Sequence, residues 1–254
     1  MDGADEDPWS EVADGWAELW AGSAAPAWTP VLRAAAVAAG DWVLDVGCGS
    51  GELLAHLDGL GMVTAGIDAA EGMVARAQSL VPAADVRIGS AEALPWSDDI
   101  FDLVVAVNVL ELVDDPDDAF AELVRVTAPQ GTVAVVNWAE ASRNDLDTIE
   151  RAVTLDAGDE PRPDGEVRLD GGHERLFRRG GLEVVESGIV AVPWSAPDDA
   201  TLVRAVLLGE DEATTASIGE VVVAAAERFR TPAGGYRLLN HFRYAVGRAS
   251  ASTR

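Results

Sequence analysis

The stretch Val43 to Gly51, reading VLDVGCGSG, carries the residue types best suited to holding a ligand. An apolar run around Asp45 passes into glycines at 47, 49 and 51, the pattern of a buried strand turning sharply into a helix that starts at Glu52. Glycine suits such a corner because it accepts left-handed backbone angles and leaves no side chain between backbone and ligand. The first turn of the helix offers free N–H groups, which favour polar or anionic ligand atoms. The spacing narrows the ligand. A dinucleotide-binding corner needs glycine at the first, third and sixth positions, with pyrophosphate on the helix end. Counting from Gly47, the sixth position is Glu52, whose carboxylate repels a pyrophosphate. A ligand without phosphate is therefore expected. Asp68 ends the next apolar run, 17 residues beyond Gly51, where an acid can accept hydrogen bonds from both hydroxyls of a ribose.

These residues need elements to position them. From Asp41 onward strand-like and helix-like segments alternate, the sign of a parallel sheet covered on both faces. Strands are expected at Trp42 to Val46, Val63 to Asp68, Asp85 to Gly89, Phe101 to Val107 and Gly131 to Trp138. Helices are expected at Glu52 to Leu57 and Glu71 to Leu80, and from Asp115-Pro116, where a capping acid precedes a first-turn proline. Ahead of this core, Val12, Trp16, Leu19 and Trp20 recur at helical spacing, and a second helix is read from Pro30 to Ala39. The front segment holds Trp9, Trp16, Trp20 and Trp28, half of the eight tryptophans, so this helix either packs as core or closes over a ligand. Residues 139 to 171 read as loop, followed by a helix at His173 to Arg179, a strand at Leu182 to Val192, helices at Asp199 to Leu208 and Ile218 to Arg230, and a strand at Leu238 to Val246.

Composition excludes several classes. Net charge is −26 and every basic residue other than histidine is arginine. Such a surface repels phosphate backbones and anionic lipid, so neither nucleic acid nor a membrane is an expected partner. The densest basic cluster, Arg175, Arg178 and Arg179, reads as a solvated helix face. No apolar run approaches the ~20 residues of a membrane span, and Met1 to Asp7 is acidic, unlike a signal peptide. One cysteine allows no internal disulfide, so a cytoplasmic setting is the natural reading.

The run Asp45-Val46-Gly47-Cys48-Gly49-Ser50-Gly51 resembles the first motif of the class I S-adenosylmethionine-dependent methyltransferases, and the small-molecule, quinone-methyltransferase-like members in particular. The resemblance covers about residues 30 to 140. It implies an α/β fold: a Rossmann-like three-layer sandwich whose seven-stranded, mostly parallel sheet has an antiparallel strand near the C-terminus, with helical lid elements. One domain over 1–254 is expected: a front lid (1–39), a cofactor-binding core (40–140) and substrate-side elements (141–254). The implied cofactor is S-adenosylmethionine, held by Asp45, Gly47, Cys48, Gly49, Gly51, Asp68, Ala69, Ser90, Ala91, Glu92 and Asn108, with Trp20 closing over it. The segment Gly89 to Trp96 is similar to the stretch that clasps adenine, with Ser90 where the family usually has an acid or amide. Glu111 stands where the family often has histidine, so a histidine base is not carried over.

The chemistry implied is methyl transfer to a small-molecule acceptor through oxygen, nitrogen or carbon, in specialised metabolism or on a quinone-like aromatic. The acceptor pocket is expected above Asn108 and Trp138. Glu140, following the fifth strand, and His173, opening a helix, are the candidate catalytic residues; Glu111, His241 and Tyr236 are further candidate bases. No metal-ligand spacing is present in the sequence, and a homodimer is possible on this reading. The alternative is a protein that binds the cofactor without transferring methyl. If the front segment is chiefly a lid, removing residues 1 to 28 should abolish turnover more than it lowers stability.

Overall fold

The computed structural model describes residues 8–249; the acidic stretch Met1 to Asp7 lies outside them. Two front helices, α1 (Pro8–Leu19) and α2 (Ala25–Ala35), precede the sheet. There follow β1 (Trp42–Val46), α3 (Glu52–Gly59), β2 (Val63–Asp68), α4 (Glu71–Leu80), β3 (Asp85–Ile88), β4 (Phe101–Val107), α5 (Pro116–Val126) and β5 (Thr127–Trp138). The remainder is α6 (Asp145–Asp156), α7 (Gly172–Arg179), β6 (Leu182–Ala196), α8 (Asp199–Val206), α9 (Glu212–Ala226) and β7 (Tyr236–Ala249). The seven strands form one sheet in the order β3-β2-β1-β4-β5-β7-β6. β7 inserts antiparallel between β5 and β6, while β1 to β5 pair parallel. This is the expected mostly parallel sheet with its antiparallel strand near the C-terminus.

Continuous apolar runs explain the central strands. Leu103 to Ala106 in β4 and Val133 to Val136 in β5 are buried on both faces, as parallel strands between helical layers must be. One face packs Phe120, Leu123, Leu176 and Phe177 from α5 and α7. The other packs Ala27, Val31, Leu53 and Leu57 from α2 and α3. A third cluster lies above the C-terminal strand ends, joining Trp20 to α6, α8, α9 and the β6–β7 hairpin.

Where expectation and structure differ, the cause is local. α2 starts at Ala25 and not Pro30, because Pro26 takes the first-turn position and Pro30 is tolerated one turn further in. It ends at Ala35, where Ala36 turns left-handed at φ 57°. The segment read as loop over 139–171 contains α6, held by tertiary bonds: Leu146 N–H donates to Asn240 Oδ1 at 3.0 Å and His241 N–H to Asn144 Oδ1 at 2.8 Å. α9 begins six residues ahead of Ile218, because Asp211 caps it by accepting from Thr214 N–H at 2.7 Å. Among the described residues no helix is long and apolar enough to cross a membrane.

α1 spans from α4 to α8. On one side Ser10 Oγ accepts from Gly72 N–H at 2.6 Å and Asp14 pairs with Arg76. On the other, Glu18 pairs with Arg204 at 2.7 Å. Just beyond α1, Trp20 Nε1–H donates to Ala205 O at 3.1 Å. The front segment is thereby fixed over the C-terminal ends of the strands, where open α/β sheets bind ligands.

Candidate active site

The corner after β1 is organised by β2. Gly47 and Cys48 N–H both donate to Ile67 O, at 2.8 and 3.0 Å. Asp68, at the tip of β2, accepts from Gly49 N–H at 2.8 Å and from Ala70 N–H at 3.0 Å. One carboxylate thus sets the glycine corner and the start of α4. Gly51, at φ 95°, forms the N-terminal boundary of α3, and a Cβ there would come within 2.8 Å of Ala77 Cα. Gly51→Ala should cost about 2 kcal/mol or more, combining a left-handed alanine with forced separation of α3 and α4; equilibrium urea unfolding measures it. At Gly49 a Cβ would meet nothing within 4 Å, so the corner is open on that side.

The loop after β3 is clamped from α5. Leu94 N–H donates to Glu122 Oε2 at 2.7 Å, and Arg125 donates to Leu94 O at 2.9 Å and Trp96 O at 2.8 Å. Ser90 Oγ accepts from Glu92 N–H at 3.1 Å, and Glu92 Oε1 accepts from Asp115 N–H at 2.8 Å. Asn108, at the tip of β4, is left-handed at φ 56°, and its Oδ1 is buried with no hydrogen-bond partner.

These groups enclose a cavity of about 390 Å³. Asp45, Gly47, Cys48, Gly49, Asp68, Ala69, Ser90, Ala91, Glu92, Asn108 and Trp20 all line it; Gly51 does not, and acts on the backbone from behind. Residues the sequence reading had not assigned also line it: Trp9, Trp16, Trp28, Leu53, Met73, Val109, Leu112 and Val113. The tryptophan density of the front segment was the available signal. Trp9 packs edge-on against Trp16 at 5.4 Å, Trp16 lies 6.4 Å from Trp20, and Trp20 stacks on Trp194 at 4.8 Å.

The cavity is acidic. Asp45, Glu52, Asp68, Glu92 and Asp114 line it, with no basic side chain among the described lining residues. Burial, reinforced by the charges of Asp68 and Glu52, pushes the Asp45 carboxyl well above the usual range. Burial and the Asp45 charge likewise push the Cys48 thiol up, which removes it as a nucleophile at neutral pH. A cation in this space would relieve the repulsion; a pyrophosphate would add to it.

The two candidate catalytic residues lie elsewhere, and this corrects the expectation for both. Glu140 is held by Arg143 at 2.6 Å and Arg243 at 2.7 Å. Burial works against its ionisation, but these arginines outweigh it and keep the carboxyl at about 2, too weak a base for proton abstraction. His173 is buried against Asn137, Nε2 to Oδ1 at 3.2 Å, and burial lowers it to about 4. Neither lines the cavity. His241 Nδ1 sits 2.8 Å from Arg143 O, and Tyr236 O–H donates to Asp199 at 2.7 Å, both away from it. In the basic cluster, Arg175 and Arg179 pair with Glu166, and Arg179 also pairs with Asp117.

The sheet order, the antiparallel β7 and the corner at the tips of β1 and β2 define a class I methyltransferase fold. A solved structure from Bacillus halodurans, described as a candidate methyltransferase, shares it with a TM-score of 0.62 at 14% identity, over 87% of this chain and 97% of its own. Residues 44–135 match the family described as "Methyltransferase domain". It is 30% identical over 105 residues to the norajmaline N-methyltransferase of Rauvolfia serpentina, covering 38% of this chain and 36% of that one. It is 34% identical over 118 residues to the malonyl-[acyl-carrier protein] O-methyltransferase of Erwinia billingiae, covering 46% and 47%. The chain thus spans less than half the length of these curated relatives.

The family implies S-adenosylmethionine as cofactor, and the residues fit it. Asn108 Oδ1 is a buried acceptor without a donor, and Gly49 leaves room for close approach. Asp45 and Asp68 are carboxylates suited to an ammonium and to ribose hydroxyls.

Proposed function

We propose that this protein transfers a methyl group from S-adenosylmethionine to a small-molecule acceptor, as one domain in a reducing cytoplasm and in specialised metabolism. The observation that carries the reading is the cavity whose charged lining residues are all carboxylates, with Asp68 bound to the glycine corner. When bound, the cofactor supplies a methyl carbon made electrophilic by cationic sulfur. Asp68 would accept from the ribose hydroxyls while its bond to Gly49 keeps the corner closed. Ser90, Ala91 and Glu92, on a loop fixed by Arg125, would hold the base. Asp45 would hold the amino group, and Asn108 Oδ1 would accept from a donor on the bound ligand. Trp16, Trp20 and Trp28 cover the cavity and exclude water, so that proximity of acceptor and methyl carbon supplies most of the rate gain. The named relatives act on nitrogen and on oxygen, which supports either atom as acceptor.

Isothermal titration tests the reading. S-adenosylmethionine should bind in the micromolar range and NAD not at all, and incubation with acceptor mixtures should release S-adenosylhomocysteine. Failure to bind S-adenosylmethionine at millimolar concentration, or binding of NAD in its place, overturns it.

A further inference from the structure

Glu52 stands at the glycine corner with no part in the contacts assigned so far. It opens α3 directly after Gly51, and its side chain lines the cavity. Ser50, itself buried, donates its hydroxyl to the Glu52 carboxylate, whose two oxygens both lie at 2.9 Å. That bond fixes the carboxylate in place, and because the hydroxyl is neutral it leaves the charge uncancelled. Among the described lining residues no basic side chain enters the cavity to cancel it either.

The other carboxylates of the cavity are differently placed. Asp68 is tied to the N–H groups of Gly49 and Ala70, and Glu92 to that of Asp115. Asp45, at 2% exposure, is held neutral-leaning by burial first, then by the charges of Asp68 and Glu52. The charge of Glu52 thus reaches into the corner without meeting a protein cation. A charge kept in such surroundings is costly unless a ligand brings the opposite one.

We infer that Glu52 is a specificity-determining residue that reads the charge on the cofactor's sulfur, holding the sulfonium form and letting the thioether form go. The inference rests on the S-adenosylmethionine reading above and deepens it. In the cofactor the ammonium and carboxylate of the amino-acid end cancel, so the methylated sulfur carries the net positive charge. In the transfer a lone pair of the acceptor forms the new bond to the methyl carbon. The electron pair of the broken C–S bond stays on sulfur, which becomes neutral. The attraction to Glu52 is therefore present before the transfer and absent after it. The same carboxylate repels a pyrophosphate, so one side chain selects against two wrong occupants, a dinucleotide and the spent cofactor.

Calorimetry on the full chain with three ligands tests this: S-adenosylmethionine, S-adenosylhomocysteine, and sinefungin, in which a carbon bearing an ammonium replaces the methylated sulfur. Wild-type protein should bind S-adenosylmethionine and sinefungin at least tenfold more tightly than S-adenosylhomocysteine, a modest share of what a unit charge supplies inside protein. Glu52→Gln keeps the size and an acceptor for Ser50. It should cut both preferences at least fivefold, by weakening the two cations and leaving S-adenosylhomocysteine within about twofold of wild type. Ser50→Ala keeps the charge but frees the carboxylate to swing aside, and should cut the preferences about twofold or more; it carries the test if Glu52→Gln fails to fold. S-adenosylhomocysteine binding as tightly as S-adenosylmethionine, sinefungin behaving like S-adenosylhomocysteine, or preferences that survive the substitution overturn the inference. Those results, beside normal S-adenosylmethionine binding, leave the methyl-transfer reading standing; no S-adenosylmethionine binding at all sinks both.

Discussion

Asp68→Ala should weaken binding of S-adenosylmethionine about 100-fold or more and leave the sheet folded. The carboxylate would accept from two ribose hydroxyls, and hydrogen bonds to a charged group contribute roughly 1.5–3 kcal/mol each, so losing both exceeds the ~2.7 kcal/mol that 100-fold represents. The same substitution releases Gly49 N–H and Ala70 N–H, so the corner also loses its shape. Asp68→Asn separates the two effects. It keeps an acceptor for Gly49 but removes the charge and one hydroxyl acceptor, and should fall between, near tenfold. Calorimetry on the three proteins, with circular dichroism to verify folding, decides. An alanine variant within threefold of wild type would remove Asp68 from the binding site.

Trp20→Ala should lower stability by about 3–5 kcal/mol, the range for large aromatic truncations in a packed core. Trp20 is 6% exposed, stacks on Trp194 at 4.8 Å and donates to Ala205 O at 3.1 Å. Trp20→Phe keeps most of the packing and should lose about 1–2 kcal/mol, chiefly from the unsatisfied carbonyl. Urea unfolding of both variants measures this, and a loss under 1 kcal/mol for alanine would show that the front segment rests loosely on the body. The result bears on the expectation that removing residues 1 to 28 costs turnover more than stability. Trp20 belongs to the same apolar cluster as Leu146, Ile149, Leu202 and Val222, so the front segment supplies core as well as cover, and its removal should cost both.

What could be read from the chain alone follows how local the signal is. The glycine corner, Asp68 and the tip at Asn108 depend on short apolar runs ending in small or polar residues, and period and spacing carry that information. The fate of Glu140 does not, because it is settled by Arg243, 103 positions away. His173 looked like a helix-opening surface residue, but the β5 tip beneath it turned it inward onto Asn137. The helix α6 was read as loop because its polar sequence gives a weak stripe and Asn240 and Asn144 fix it from outside. With α6 unseen, the pairing of Asp147 with Arg168 stayed out of reach. Propensity is a weak guide wherever tertiary hydrogen bonds do the work of nucleation.

The row of indoles has a consequence for how the molecule can be watched. Trp9, Trp16, Trp20 and Trp194 follow one another at centroid separations of 5.4, 6.4 and 4.8 Å, close enough for their electronic transitions to mix. Three of them also border the cavity. A nucleoside entering beneath them changes both their mutual angles and their dielectric surroundings, so the near-ultraviolet dichroism of the native chain is a built-in optical gauge of occupancy that needs no label.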